Sequence, residues 1–300
     1  MNCYRLQTSK IVLLILVVFL SQTLVAQQTL NKVACVGNSI TYGYGLSNPK
    51  TESYPAQLQA LFDPQKWMVE NFGISSRTML KTGDLPYWNE TQYNDALAFN
   101  PNYVIIKLGT NDSKRWIWNK HGSEYKTDYK EMIQSFRNLP SKPEIWIALL
   151  IPGENKGWDI YNSYVKDSVN PKIKEIALET GVGLIDLYSA LNNNRSAWLL
   201  GDSVHPTKEG SAVIAKTVKA MLTKAKPELK YSKRVLIAPK AEEYQWYCDR
   251  VMVAVTAGGT SREFKPTKSG LYKVSVKLSK QSESRIVSQD FLVDTLQTIK

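Results

Sequence analysis

Short apolar runs alternate with longer amphipathic stretches between residues 32 and 224. The short runs are rich in β-branched and aromatic residues, which is typical of buried parallel strands, and the stretches between them carry the apolar spacing of helices. This pattern predicts strands at 33–36, 67–72, 103–108, 145–150 and 183–187 and helices near 52–62, 91–98, 124–138, 161–179 and 207–224. Repeated βα units predict an α/β domain with a parallel sheet in a three-layer α/β/α arrangement. Pro171 should kink the fourth helix or begin it.

The pattern changes after the segment 224–227. From there the apolar runs are short, β-rich and separated by Pro, Gly, Ser and Lys, at 234–238, 244–248, 251–256, 271–278 and 291–293. Such runs predict a small all-β sandwich of about 70 residues. We therefore expect the α/β domain to span residues 27–226 and an accessory β domain to span 227–300.

The N-terminus has the three parts of a secretory signal peptide. Residues 11–20 are an unbroken apolar run preceded by Arg5 and Lys10, and small residues follow at Val25-Ala26. An uncleaved anchor is the alternative, but the apolar run is short for a membrane span. We expect residues 1–26 to be removed near Ala26-Gln27, which predicts a secreted or periplasmic protein without stable membrane insertion.

Composition narrows the classes of function. The formal net charge is +11, but the lysines are scattered and no nucleic-acid-binding motif accompanies them, so we expect no nucleic-acid partner. The basic balance is typical of a solvated surface and also favours acidic polysaccharides. Cys35 and Cys248 lie in different predicted domains, which predicts two free, mostly buried thiols.

Ser39 is the strongest candidate for a nucleophile. It follows the first predicted strand in Gly37-Asn38-Ser39, so it should lie at the carboxyl edge of the sheet, where ligands bind in open α/β folds. A serine needs a nearby base, a group that orients the base, and donors for the oxyanion. Two further strands end at Asn71-Phe72-Gly73 and at Gly109-Thr110-Asn111, which brings small and amide residues to the same edge.

The base can come from only two histidines, His121 and His205. His121 lies in a polar stretch that predicts a solvated loop. His205 lies three residues after Asp202 and just before a predicted amphipathic helix. A carboxylate at that spacing can fold back onto the imidazole and fix its tautomer, which favours His205 as the base.

The order Ser, Gly, Asn, Asp-x-x-His resembles the SGNH hydrolases, also called the GDSL esterase/lipase family, over residues 32–224. The resemblance implies that Ser39 is the nucleophile, His205 the general base and then acid, and Asp202 its orienting partner. It also implies an oxyanion hole formed by the backbone N–H groups of Ser39 and Gly73 and the side-chain amide of Asn111. The family usually has Asp before the serine, whereas this chain has Asn38, which removes a charge but no catalytic group.

Three segments resemble a bacterial subgroup described as sialate or polysaccharide O-acetylesterases: 53–58, 107–114 and 204–206. The resemblance implies an acetylated oligo- or polysaccharide substrate, hydrolysis through an acyl-enzyme, and no metal or cofactor. The C-terminal runs resemble the Ig-like modules of secreted bacterial enzymes. Tyr42, Trp116 and Trp118 follow the predicted site segments, and we expect them to contact the sugar.

Three alternatives stay open. The same family includes lysophospholipases and thioesterases, since a fold does not fix a substrate. A non-catalytic glycan-binding protein could share the fold, although it would be expected to lack the nucleophile, the base or the amide donor. A metal-dependent hydrolase is disfavoured because two histidines cannot build a His-rich zinc site, whereas a carboxylate-held Mg²⁺ is not excluded by counting.

Overall fold

A computed structural model describes residues 30–294. The predicted signal peptide, residues 1–26, lies outside the described residues. The sheet contains five parallel strands in the order β2-β1-β3-β4-β5. Their bounds are β1 (Asn31–Gly37), β2 (Trp67–Gly73), β3 (Tyr103–Lys107), β4 (Glu144–Ala148) and β5 (Gly183–Ile185). All five strands predicted for this domain are confirmed, with small differences at their ends.

Helices connect these strands, and the five predicted ones are present. They are α1 (Ser39–Tyr42), α2 (Pro49–Glu52), α3 (Tyr54–Leu61), α4 (Thr91–Ala98), α5 (Arg115–His121), α6 (Tyr125–Arg137), α7 (Asn162–Tyr164), α8 (Asn170–Thr180), α9 (Leu187–Asn192), α10 (Arg195–Trp198) and α11 (Lys208–Leu222). Short 3₁₀ turns lie at Tyr87–Asn89, Lys156–Trp158 and Val255–Ala257. The helices that the sequence pattern missed are short, so they show little amphipathic periodicity. Among the described residues, no helix has the length and apolar character to cross a membrane.

Pro171 lies in the first turn of α8, as expected for a proline at a helix start. The chain reaches it through a π-helical turn, Val165–Val169, that follows α7 directly. Proline has no N–H to donate to the preceding turn of an α-helix, which accounts for a change of helical path at this point. The predicted helix over 161–179 is therefore three consecutive helical segments.

The two faces of the sheet are covered by different helices. Cys35 packs in one apolar cluster with residues of α3 and α11, while Val36 packs in a second cluster with residues of α6 and α8. Neighbouring residues of a strand point to opposite faces, so a strand buried on both sides is continuously apolar. This is the predicted α/β/α layering.

The described residues after α11 are all-β, as predicted, and form strands in two sheets. The strands are β6 (Lys230–Ser232), β7 (Val235–Ile237), β8 (Glu243–Cys248), β9 (Val251–Met252), β10 (Glu263–Phe264), β11 (Gly270–Ser279), β12 (Ser282–Val287) and β13 (Phe291–Val293). Strands β6, β7 and β10 form a separate antiparallel sheet. Its Phe264 stacks on Trp246 of β8, and both belong to one apolar cluster.

The other C-terminal strands continue the central sheet. Strand β12 pairs antiparallel with β5 through Arg285 and Leu184, and β11, β8 and β9 follow in order. Asp186 strengthens the junction, because its N–H donates to Ser284 Oγ at 3.0 Å and its Oδ2 accepts from Glu283 N at 2.8 Å. The described residues from Asn31 onward form one compact unit. The segments before and after the predicted boundary at residue 226 therefore contribute strands to one sheet. An open edge at β5 would expose unpaired backbone groups, which β12 covers.

Candidate active site

Ser39 lies where β1 turns sharply into α1. Asn38 caps this helix, and its Oδ1 accepts a hydrogen bond from Ile40 N at 3.2 Å. Gly37 makes the turn possible, because a Cβ there would lie 2.0 Å from Thr41 Oγ1 and 2.9 Å from Lys107 O. The hydroxyl of Ser39 is consequently held at the carboxyl edge of the sheet, and its N–H belongs to the first helical turn, which lacks intrahelical acceptors.

The three predicted catalytic side chains form one hydrogen-bonded chain. His205 Nε2 lies 2.8 Å from Ser39 Oγ, and His205 Nδ1 lies 2.7 Å from Asp202 Oδ2. When Nδ1 donates to the carboxylate, Nε2 is left as an acceptor for the serine O–H. This geometry is suited to removing the proton of Ser39 during nucleophilic attack.

Asp202 is held by the turn that it begins. Its Oδ1 accepts hydrogen bonds from the N–H groups of Val204 and His205, both at 2.9 Å, and Ser203 takes a left-handed conformation with φ of 58°. Burial of Asp202 opposes ionisation, but the two backbone N–H groups and the imidazole outweigh it and hold the pKa of this carboxyl below its usual range. Asp202 therefore remains a carboxylate at neutral pH.

Asn111 points its amide into the site from the end of β3. Its Nδ2 donates to Arg77 O at 3.0 Å, and the residue is largely buried. An amide nitrogen carries two N–H bonds, so the second can donate to an oxyanion once the first has fixed the side chain. The predicted role of Asn111 is compatible with this position.

Gly73 does not occupy the position expected of an oxyanion donor. Its N–H donates to Asn71 Oδ1 at 2.9 Å, and it does not line the cavity beside Ser39. A Cβ at Gly73 would lie 2.3 Å from Tyr42 N, so the glycine allows β2 to pack closely on α1. Ser75 and Ser76 line the cavity instead, and Ser76 has φ of 68°. Gly73 therefore serves the packing of β2 on α1, and the residues of this segment that line the cavity come later, at Ser75 and Ser76.

The segment after β2 is held in place by Asp112, which the sequence analysis did not single out. Its carboxylate accepts hydrogen bonds from Leu80 N at 2.7 Å and Met79 N at 3.0 Å. Burial raises the pKa of Asp112 to about 7, although these hydrogen bonds oppose the shift. Asp112 thus connects the loop of Asn111 with the loop that carries Ser76 and Arg77.

A cavity of about 460 Å³ opens beside Ser39, and three of the residues that line it are half-exposed aromatic side chains. Tyr44 is 48% exposed, Trp116 53% and Trp158 41%. The ring of Tyr44 lies 4.7 Å from the imidazole of His205, and that of Trp158 lies 5.6 Å from it, centroid to centroid. Two aromatic rings therefore border the imidazole of His205.

The predicted sugar contacts are only partly placed at this cavity. Trp116 lines it, whereas Tyr42 is exposed away from it and Trp118 packs against Tyr125 with ring centroids 5.3 Å apart. Tyr44 and Trp158, which are not among the predicted sugar contacts, also line the cavity. Tyr44 directly follows the helix of Ser39, so its nearness in sequence was a usable signal, but Trp158 belongs to a loop after β4 that carries no motif.

His121 does not line the cavity beside Ser39. It ends α5 rather than lying in a loop, and its Nδ1 is 3.0 Å from Glu124 Oε1. Within residues 30–294, no cluster of three or more His, Cys, Asp and Glu side chains is arranged to hold a metal ion. The hydrogen-bonded unit of Ser39, His205 and Asp202 is the chemically competent group at this cavity.

The chain is similar to known proteins in family and in fold. The model of the GDSL-like Lipase/Acylhydrolase family matches residues 35–213. An acetylxylan esterase from Xylanibacter ruminicola is 38% identical over 208 residues, which are 64% of this chain and 43% of that protein. The chain thus matches less than half the length of that relative. A solved structure titled "putative arylesterase" from Agrobacterium tumefaciens has a TM-score of 0.52 at 21% identity, over 64% of this chain and 98% of that one, which shows a shared fold.

Proposed function

The chain belongs to the GDSL-like lipase/acylhydrolase family, and from that premise we propose that it is a serine esterase that removes O-acetyl groups from a carbohydrate. The observation that carries the proposal is the continuous hydrogen-bonded chain from Ser39 Oγ through His205 to Asp202. A glycan-binding protein on the same fold would have no need for this pairing of nucleophile, base and orienting carboxylate.

The mechanism follows from the positions of these groups. Ser39 Oγ attacks the ester carbonyl carbon, and its proton passes to His205 Nε2, while Asp202 stabilises the imidazolium that forms. His205 then returns the proton to the departing sugar oxygen, which leaves an acetyl group on Ser39. Water then attacks this acyl-enzyme while His205 Nε2 takes its proton. The proton passes to Ser39 Oγ as the acyl C–O bond breaks, which releases acetate and restores the serine and the neutral imidazole.

The oxyanion of each tetrahedral intermediate needs donors beside Ser39. We assign this role to the backbone N–H of Ser39 and the second N–H of the Asn111 amide, as the family resemblance implies. The third donor in this proposal is the backbone N–H of Ser76 rather than that of Gly73, because Ser76 lines the cavity and the Gly73 N–H already bonds Asn71. Donors fixed before the reaction stabilise the oxyanion without reorganisation.

A polysaccharide substrate is supported by two independent features. The relative from Xylanibacter ruminicola is named an acetylxylan esterase, which favours an acetylated xylan for this chain. The cavity offers exposed aromatic side chains next to polar groups such as Ser75 and Lys114, a combination suited to a sugar. A long acyl chain of a lysophospholipid or thioester would instead favour a deeper apolar channel.

Secretion is also part of the proposal. It depends on the basic, apolar and small-residue segments within residues 1–27. Export followed by N-terminal sequencing of the mature protein should give a first residue at or near Gln27. A mature chain that keeps Met1 would contradict the cleavage.

A substrate panel tests the proposed function. The purified protein is assayed for acetate release from acetylated xylan, acetylated pectin and O-acetylated sialic acid, and for hydrolysis of a long-chain acyl ester. We expect acetate release from xylan, unaffected by a chelator, and little action on the long-chain ester. Strong loss with the chelator that is restored by added metal would favour a metal-dependent hydrolase, and preference for the long-chain ester would favour the lipolytic alternative.

A further inference from the structure

The loop 153–161 connects two parts of the active site. At one end Glu154 N donates to Ser203 O at 3.0 Å, and Asn155 Nδ2 donates to Asp202 O at 3.1 Å. The loop is closed on itself, because the N–H groups of Asn155 and Ile160 each donate to the other's carbonyl, at 2.8 Å and 3.0 Å. This end is therefore fixed to the turn that carries the catalytic aspartate and histidine.

Asp159 fixes the other end of the loop to the start of α5. Its backbone O accepts from Arg115 N at 3.0 Å, its Oδ2 accepts from Trp116 N at 3.1 Å, and its Oδ1 lies 3.2 Å from Arg115 Nη2. One residue thus makes three contacts with two consecutive residues of α5. Its φ of 56° is in the left-handed region, which costs energy for a side chain with a Cβ and is tolerated best by Asn, Asp and Gly.

Two tryptophans flank these contacts directly. Trp158 precedes Asp159 in the loop, and Trp116 is the residue whose N–H the Asp159 carboxylate binds. Both line the cavity beside Ser39, and both keep a large exposed area that the protein itself does not cover. Exposed aromatic faces are strong contact surfaces for a ligand with an apolar face and a polar rim, such as a pyranose ring.

We propose that Asp159 is a positioning residue for sugar binding, which sets the placement of Trp116 relative to Trp158 so that a pyranose ring of the acetylated substrate binds against them. This inference rests on the proposed function. Asp159 does not touch the reacting atoms in this scheme. It acts through Trp116, so its loss should weaken saccharide binding and leave the chemistry at Ser39 largely intact.

A purely stabilising role is the competing explanation. An acidic side chain that binds the first N–H groups of a helix stabilises the helix end, whatever the helix carries. That explanation predicts a lower melting temperature with no selective change in KM. The two roles can be separated by comparing a small ester with a saccharide ester.

The experiment uses four single variants of the full chain and one double variant. Asp159→Gly removes the carboxylate but keeps access to the left-handed conformation, and Asp159→Asn keeps an acceptor for Trp116 N and tolerates the same φ. Trp116→Ala removes one exposed aromatic face. Glu131→Gln is the control, because Glu131 makes an exposed ion pair with Lys81 at 2.6 Å and does not line the cavity. For each protein, kcat and KM are measured on 4-nitrophenyl acetate and on acetylated xylo-oligosaccharide.

We expect Asp159→Gly and Trp116→Ala each to raise KM for the oligosaccharide about tenfold, the size of one lost aromatic contact, with kcat within about twofold. The aryl acetate should show no such increase. Asp159→Asn should recover most of the affinity, and Glu131→Gln should match the wild type. The double variant Asp159→Gly/Trp116→Ala should be no worse than Trp116→Ala alone, because residues that act through one another are not additive.

Several outcomes would overturn the proposal. An unchanged KM for the oligosaccharide in Asp159→Gly, or multiplied effects in the double variant, would show that Asp159 does not act through Trp116. Equal losses on both esters would indicate general damage to the site. If the wild type hydrolyses the aryl acetate but no acetylated saccharide, the proposed function fails and this inference fails with it, which distinguishes that result from a failure of the inference alone.

Discussion

The carboxyl edge of the central sheet differs from the strands beyond β5. At the carboxyl ends of β1 and β3, and in the turn before α11, the protein buries the polar groups of Ser39, Asn111 and His205. Beyond β5 it buries large aromatic side chains, among them Trp246 and Tyr272. The polar groups are held by hydrogen bonds, whereas the aromatic residues pack in an apolar cluster. The candidate catalytic groups therefore lie at the carboxyl edge of the sheet, while the strands beyond β5 contribute buried apolar area and none of these groups.

This difference predicts that variants at the carboxyl edge and variants beyond β5 lose different properties. Changes at the carboxyl edge should lower turnover while the protein stays folded. Changes beyond β5 should lower stability while the folded fraction keeps its turnover. The first three predictions below follow this division, and the fourth concerns the pH dependence of stability.

His205→Ala should have the largest effect. Removal of the base leaves Ser39 unactivated, so we expect kcat on an aryl acetate to fall by about 10⁴-fold or more, with a nearly unchanged melting temperature. His121→Ala is the matched control, because His121 pairs with Glu124 and lies outside the cavity. It should keep wild-type turnover. Loss of activity in His121→Ala and retention in His205→Ala would reverse the assignment of the base.

Trp246→Ala should have the next largest effect, on stability alone. The indole is fully buried, stacks on Phe264 and donates from Nε1 to Ser261 O at 2.7 Å. Truncation of a buried tryptophan costs about 3–5 kcal/mol of unfolding free energy. Chemical denaturation measures the cost, and kcat of the folded enzyme should match the wild type. A large fall in kcat at full folding would show that the C-terminal strands contribute to the site.

Asn111→Ala should have the opposite effect to Trp246→Ala, a lower kcat with a smaller change in stability. Loss of one oxyanion donor lowers kcat by about 10²–10³-fold, and KM should change little because the donor acts mainly in the transition state. Only the Asn111 side-chain bond to Arg77 O is lost from the folded protein, so the effect on unfolding should be smaller than that of Trp246→Ala. Normal turnover with a clearly lower melting temperature would leave Asn111 a structural role only.

Asp112→Asn should change stability in a way that depends on pH. The folded protein holds the Asp112 proton up to about pH 7, whereas the ordinary pKa of the group is 3.8. Between these values the folded state binds more protons than the unfolded state, so raising the pH lowers the stability of the wild type. Asn does not titrate, so the variant should gain stability relative to the wild type as pH rises from 4 to 7. A difference that is constant over this range would contradict a raised pKa for Asp112.

Much of the site was predictable because its residues are neighbours of strongly patterned strands. The β-branched run at 103–108 identifies β3, and the residues after it include Asn111. The spacing of Asp202 and His205 is also local, since a turn of three residues forms the contact. Patterns of this kind depend on short stretches of chain, so a single sequence contains them.

The features that were not predicted depend on contacts between distant segments. The pairing of β12 with β5 joins Arg285 to Leu184, and neither stretch carries a mark of its partner. The roles of Gly73 and Ser76 depend on the path of the backbone after β2. Gly73 lies so close to Tyr42 N, a residue distant in sequence, that a Cβ would not fit there. The ring of Trp158 lies 5.6 Å from the imidazole of His205, and its loop, residues 153–161, is hydrogen-bonded to Asp202 and Ser203.

Covalent labelling of Ser39 tests the central claim most directly. The full chain is treated with a serine-reactive organophosphonate, and the modified peptide is identified by mass spectrometry while residual activity on an aryl acetate is followed. We predict that one label on Ser39 accounts for the loss of activity, and that Ser39→Ala is neither labelled nor active. Inactivation with the label on another residue, or wild-type turnover in Ser39→Ala, would contradict the account.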